Sequence, residues 1–378
     1  MIIIFASAIG RFPIGGNAWS DLQYILGLRS LGHDVYYLEE CGLESWVYNW
    51  QTEQFTTDLD YPTNYLRNCL EPLGFANQWI YRAGDRSAGM ELDKFKYICS
   101  QADLMIIRGS PITLWREEYN LPQRRIYIDA DPGFTQINIV QGNTELANTI
   151  EQCDRLFTIG QRIGAPDCSI PTIDKHWHKT LPPIALPYWA WVEDDSTYFS
   201  SIMQWHSYCE VNYQGVSYGN KDKEFLKFID IPQQTKQPFR IALSGGIPQE
   251  LAQHGWEVIP GWMASFSPES YQIFIQESRA EFGVAKHGYV ATKGGWFSDR
   301  SVCYLASGRP ILVQDTGLSD WLPLKEGIFT FCDRSEAANA IETINTDYKQ
   351  HQYAARKLAE EYFDSNKVLS SLLETAMS

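Results

Sequence analysis

The chain has 378 residues, 44% of them hydrophobic and 14% aromatic, and a formal net charge of -15 at pH 7. That length and apolar content suit two cores better than one, and the acidic balance leaves no broad basic surface to neutralise a phosphate backbone, so no nucleic-acid partner is expected. A small anionic ligand is still compatible, because a few amides at a helix N-terminus and one or two local cations suffice to hold it.

Ile2–Ala6 is a short, wholly apolar run of the kind that fills a central parallel strand. Residues 1–9 lack a cationic flank and run directly into a glycine-rich loop, 10–16, so they read as a buried strand and not as a signal segment. An amphipathic helix over 18–31 follows, Gly32 stops it, and 35–38 reads as the second strand of a βαβ unit. Further strands are expected at 104–107, 125–129 and 155–159. The proline-rich stretch 181–187 cannot continue a helix and reads as a hinge. The aromatic, glycine-punctuated stretch 203–221 supports no assignment. A second alternation then begins, with strands at 239–243, 256–259, 282–285, 310–313 and 328–331 separated by helices. The tail, 335–378, is helical in composition and is expected to fold over the junction. No apolar stretch is long enough to span a bilayer, so any membrane contact is expected to be peripheral. The eight scattered cysteines form no CxxC pair, which suits reduced thiols and a cytoplasmic setting.

In the first loop the glycines allow a ligand to approach the backbone, and the helix start favours an anion or hydroxyl. A tight structural turn is the alternative. The loop departs from the dinucleotide GxGxxG fingerprint and lacks the Lys and Ser/Thr of a P-loop, which leaves nicotinamide and ATP chemistry unsupported.

The order of a strand, Pro13-Ile14-Gly15-Gly16-Asn17, a helix, and then Leu28-Arg29-Ser30-Leu31-Gly32-His33-Asp34-Val35 resembles the opening of group 1 and group 4-type glycosyltransferases. There a Gly-Gly loop precedes a helix ending in the phrase hGHxV, and the loop faces a cleft between domains. The resemblance implies an acceptor site at Gly15, Gly16 and Asn17. A second segment, Gly308-Arg309-Pro310-Ile311-Leu312-Val313-Gln314-Asp315-Thr316-Gly317, is similar to the family's GxPVVxxDxGG phrase, and implies that Gln314, Asp315, Thr316 and Gly317 border a donor-sugar pocket at a strand's carboxyl end. A purely structural Asp315, capping the next helix, is the alternative.

Between these segments lie the groups a nucleoside diphosphate requires. Ser298 can cap a helix whose free amides meet phosphate, Lys286, Lys293 or Arg300 can compensate its charge, and Trp296 or Phe297 can stack on a base. His287, Gly295 and Asp299, with Gly245 and Gly246 after the first strand of the second half, complete the expected donor site. An Asp299–Arg300 surface pair with Trp296 as a core anchor is the alternative. Tyr213, Tyr218, Gly219 and Lys221 are further candidates for a phosphate or sugar contact. One departure from the family stands out: its E-x7-E glutamates fall on Gly295 and Cys303, which puts the ribose contact in question.

For a catalytic base, Ile128-Asp129-Ala130-Asp131-Pro132-Gly133 places two carboxylates at the end of a strand. Asp131 is the expected base, with Asp129 raising its proton affinity or orienting a hydroxyl. A Pro-Gly turn whose aspartates bond local amides is the alternative. His176-Trp177-His178 lacks a cysteine or carboxylate set, so no metal site is expected.

The expected fold is α/β of the GT-B type, two facing Rossmann-like domains with a C-terminal helix crossing back to the first. The expected boundaries are an acceptor domain at 1–185, a connector at 186–235, a nucleotide-sugar donor domain at 236–345 and a helical tail at 346–378. The expected activity is metal-independent, cofactor-free transfer of a sugar from a nucleoside diphosphate sugar to an acceptor hydroxyl. A nucleotide-sugar epimerase and a non-catalytic nucleotide-sugar or glycan-binding protein are the alternatives.

Overall fold

The structure, a computed structural model, describes residues 1–50, 52, 54–109, 112–193, 196–207, 210–246, 248–324 and 326–378. The first sheet contains β1 (Ile2–Ala6), β2 (Asp34–Glu40), β3 (Trp79–Ala83), β4 (Arg86–Gly89), β5 (Leu104–Arg108), β6 (Arg124–Asp129), β7 (Arg155–Thr158) and β8 (Trp177–Lys179). Their order is β8-β7-β6-β5-β1-β2-β3-β4, and β4 runs antiparallel to its neighbour at the edge. The second sheet contains β9 (Phe199–Gln204), β10 (Phe239–Ser244), β11 (Trp256–Pro260), β12 (Ala280–Gly283), β13 (Ile311–Gln314) and β14 (Ile328–Phe331), ordered β11-β10-β9-β12-β13-β14 and parallel throughout. Runs such as Ile3, Ile4 and Phe5, each fully buried, show why these strands are apolar along their whole length: helices cover both faces.

The helices that shape the site are α1 (Gly15–Ser30), α2 (Phe134–Val140), α3 (Lys221–Phe225), α4 (Pro268–Gln276), α5 (His287–Thr292), α6 (Asp299–Ala306) and α7 (Ser365–Met377). In each sheet the first strand sits centrally, the next ones step to one side (β2, β3 and β4 in the first sheet, β10 and β11 in the second), and the chain then crosses to the other. Such a reversal opens a crevice at the strands' carboxyl ends. In the second sheet the crevice is widened. Strand β9 pairs with β10 from Phe199↔Phe239 to Gln204↔Ser244, but with β12 only at Phe199↔Ala280 and Ser200↔Glu281.

Strand β9 corrects the expected boundaries. The segment 186–235 is not only a connector, since it supplies the central strand of the second sheet, and that unit takes in chain upstream of 236. Buried Ser200 and Ser201 break the apolar run. The Ser200 hydroxyl donates to Ser278 Oγ at 2.5 Å and lies 2.8 Å from the Tyr304 hydroxyl, which satisfies it inside the core.

The proline-rich stretch is where the tail returns. Ile184 N donates to the Phe363 carbonyl at 2.7 Å, and Ser365 N donates to the Ile184 carbonyl at 2.9 Å. Helix α7 then lies on α1, so close at Gly27 that a β-carbon there would stand 2.6 Å from the Leu369 side chain. This is the expected crossing helix. No helix among the described residues is long and apolar enough to cross a membrane.

Candidate active site

A pocket opens at the crevice of the second sheet, lined by Gly283 at the end of β12 and Val284 and Ala285 after it, by Trp296, Phe297 and Ser298 before α6 and Arg300 in its first turn, and by Gln314 at the end of β13. Arg300 fills the gap left where β12 departs from β9. Its Nη1 donates to the Ile202 carbonyl at 2.9 Å, and its Nε donates to Glu281 Oε1 at 2.7 Å. Although burial opposes its charge, the Glu281 carboxylate, itself fully buried, holds Arg300 above its ordinary value.

Lys221 stands at the start of α3, directly after a small hairpin formed by Val211–Tyr213 and Val216–Tyr218. It is 7% exposed, and its ammonium makes no hydrogen bond or ion pair with any described residue. Burial, and then the nearby Arg300 and Lys286, push its pKa well below the usual lysine value, with Glu281 the one opposing charge. Lys286 is also depressed by burial, which Asp131 partly offsets. Lys221, Lys286 and Arg300 thus lie near one another, with Glu281 Oε1 held by Arg300 and Asp131 meeting Lys286 from the other domain. Such an arrangement is electrostatically incomplete without an anion.

His287 and Gln314 brace this corner. Both meet the buried Glu224, His287 Nδ1 at 2.6 Å and Gln314 Nε2 at 2.5 Å, and Gln314 Oε1 accepts from Ala285 N at 3.2 Å. Ser298 caps α6 as expected, its hydroxyl accepting from Arg300 N at 3.3 Å. Trp296 lines the pocket, with one ring face stacked on Tyr289 at 4.1 Å.

Other expected site residues prove to be framework. Phe297 also lines the pocket, but its ring is buried in a stack on Phe363 at 5.1 Å. Asp299 is tied across the domains to Arg108 at 2.6 Å. Asp315 Oδ1 accepts from the Gly317 and Leu318 amides, both at 2.9 Å, so it caps the following turn. Thr316 is buried and its hydroxyl donates to the Trp296 carbonyl at 2.7 Å. Gly295 and Gly317 make room for Arg162, whose side chain would lie 2.9 Å and 2.7 Å from β-carbons there. Lys293 is exposed in a left-handed turn, and its carbonyl accepts from Arg162 Nη1 at 2.8 Å. Gly245 and Gly246 sit exposed at the end of β10 with φ of 78° and 104°.

The expected acceptor loop is likewise covered. A β-carbon on Gly15 would stand 2.1 Å from the Ser267 carbonyl oxygen, and one on Gly16 2.9 Å from the Tyr271 ring. The two glycines therefore let α1 approach the second domain and do not form an open floor. Asn17 braces the loop, donating to the Ala8 carbonyl at 2.9 Å. Gly15→Ala is expected to cost about 1–3 kcal/mol, the usual penalty of overpacking. A denaturant melt checks it, and unchanged stability would contradict so close an approach.

Asp129 is fully buried and its carboxylate accepts four hydrogen bonds, from Asp131 N at 3.0 Å, Thr135 Oγ1 at 2.7 Å, Gln136 Nε2 at 2.8 Å and Thr158 Oγ1 at 2.8 Å. It builds the loop and does not reach a substrate. Asp131, by contrast, faces the second domain. Its Oδ2 lies 3.4 Å from Lys286 Nζ, and its Oδ1 accepts from the Tyr289 hydroxyl.

With this geometry in view, comparison with solved structures is decisive for the fold. An alpha-glucosyltransferase in complex with UDP superposes over 100% of this chain and 99% of its own, with a TM-score of 0.64 at 13% identity. The chain has a GT-B fold. An alpha-glucosyltransferase in complex with UDP-glucose and DNA containing an abasic site gives 0.62 at 12% identity, over 100% of this chain and 99% of that one. AviGT4, a glycosyltransferase involved in Avilamycin A biosynthesis, gives 0.55 at 12% identity, over 100% and 97%. No family model and no curated protein sequence matches the chain.

Proposed function

We propose that this GT-B chain is a glycosyltransferase that moves a sugar from a nucleoside diphosphate sugar to an acceptor hydroxyl. The observation that carries the reading is Lys221, a buried amine near Arg300 and Lys286 whose hold on its proton is weakened by burial and by those two charges. A diphosphate seated there supplies the missing negative charge. As the acceptor oxygen bonds to the anomeric carbon, the bond from that carbon to the diphosphate breaks and its electron pair leaves on the diphosphate. Lys221, Lys286 and Arg300 stabilise that charge, and Asp131 takes the acceptor's proton. Fold neighbours bound to UDP and UDP-glucose make UDP the first nucleotide to test. One of those neighbours also holds DNA, but the net charge of -15 on this chain favours an acceptor that is not a nucleic acid. The free cysteines suit a reducing, cytoplasmic setting.

The direct test is thermal stabilisation by UDP-, GDP-, dTDP- and ADP-sugars, since a ligand that prefers the folded state must raise the melting temperature. At least one is expected to do so, and four flat responses would end the proposal. Because three cations already supply the charge that a divalent ion would bring, release of nucleoside diphosphate from the donor is expected to continue in EDTA. Loss of turnover in EDTA, restored by added magnesium or manganese, would contradict that expectation.

A further inference from the structure

Asp131 and its two partners come from opposite halves of the molecule. The Asp131 loop is fixed from below by the four hydrogen bonds to Asp129, which leaves the Asp131 side chain 24% exposed and turned toward α5. Its two oxygens are divided between two donors of different mobility. Tyr289 is clamped, its ring stacked on Trp296 at 4.1 Å and set edge-on to Phe134 at 5.7 Å, so the hydroxyl that donates to Oδ1 has little freedom. Lys286 has a long flexible stem. Its Nζ lies over the Phe134 and Tyr289 rings, 5.1 and 5.3 Å from their centroids, and approaches Oδ2 at 3.4 Å.

We infer that Tyr289 is a positioning residue for Asp131 and that Lys286 is shared between Asp131 and the donor diphosphate, so that filling the donor site releases one oxygen of the base. This rests on the donor-site reading above and deepens it. With both oxygens engaged, the carboxylate is poorly placed to receive an acceptor's proton. When Lys286 turns to the diphosphate held by Lys221 and Arg300, Oδ2 is freed while Tyr289 keeps Oδ1 in place. The base is then available only with donor bound, which imposes donor-first binding and limits donor loss to water.

The test is a UDP titration of the unsubstituted protein and four variants. Asp131→Asn removes the competitor for Lys286, so UDP is expected to bind about tenfold more tightly. In a Lys286→Met background the same change should alter affinity by less than about twofold, the coupling being carried by Lys286. Tyr289→Phe keeps both ring contacts but leaves Asp131 leaning wholly on Lys286, so UDP should bind several-fold more weakly. A merely structural role for Asp131 loosens binding on substitution and does not tighten it. Unchanged or weaker binding in Asp131→Asn, or a gain that persists undiminished with Lys286→Met, overturns the inference. The Tyr289→Phe result decides independently of how Asp131→Asn folds: looser binding supports the inference and unchanged binding overturns it. Failure of the unsubstituted protein to bind UDP would overturn the UDP-donor reading itself and this inference with it.

Discussion

Lys221→Met should lower donor turnover, read as release of nucleoside diphosphate, by about 10²–10³-fold, the effect of removing one preorganised electrostatic stabiliser. The same substitution should leave the empty protein at least as stable as before. The reasoning runs from charge. Lys221 is buried near Arg300 and Lys286, and Glu281, the carboxylate that opposes them, gives Oε1 to Arg300. Met fills similar volume with no charge to desolvate, so the substitution relieves a cost in the apo state and removes a stabiliser from the transition state. Kinetics and a thermal melt on one preparation measure both. Lower stability with turnover intact would assign Lys221 to the framework. Arg300→Ala is a poorer probe, because it would also strip Glu281 of its partner.

The depressed lysines also fix a pH signature. Lys221 and Lys286 both sit below the ordinary value of 10.5, through burial first. Between their folded values and 10.5 the unfolded chain holds protons that the folded apo protein has lost, so apo stability should rise with pH across that window. An anion bound between them restores their affinity for protons. Binding of UDP is therefore expected to take up protons and to weaken as pH rises through the window. Calorimetry in two buffers of different ionisation enthalpy measures the uptake, and Lys221→Met should reduce it.

What the sequence disclosed, and what it hid, follows from how each residue is satisfied. Strands buried on both faces, such as Ile2–Ala6, announce themselves by continuous apolarity. Strand β9 does not, because Ser200 is satisfied inside the core by Ser278 and Tyr304, partners 78 and 104 residues away. The start of α6 and the cations Lys286 and Arg300 were legible because a capping serine and nearby charges form a local pattern. The roles of Glu281, Tyr289 and Arg108 were not, since each depends on a partner brought in by the topology. Gly15 and Gly16 read as an acceptor floor, because a glycine pair does not disclose what approaches it. What approaches is the second domain's own Ser267 and Tyr271.

Arg108→Met is expected to be the most destabilising single change, costing about 3–5 kcal/mol, the usual result of leaving a buried charge without its partner. Arg108 ends β5 and divides its guanidinium between the halves of the molecule, Nη1 meeting Asp21 at 2.9 Å and Nη2 meeting Asp299 at 2.6 Å. Its face also lies 5.2 Å from the Tyr24 ring centroid. Asp21 is fully buried on α1, where burial raises its pKa and Arg108 is the main opposing influence. Without Arg108 that carboxyl is driven further toward its protonated form. A group whose folded pKa is raised stabilises below its unfolded value and loses that contribution as pH climbs through the folded one. The Arg108→Met deficit should therefore be smaller in mild acid than at pH 8, where Asp21 is forced to ionise alone. Adding Asp21→Asn should recover much of the loss at pH 8, and denaturant melts of the four-protein cycle measure the coupling. A deficit that ignores both pH and Asp21→Asn would place the cost in the lost Asp299 bridge and the domain closure it secures.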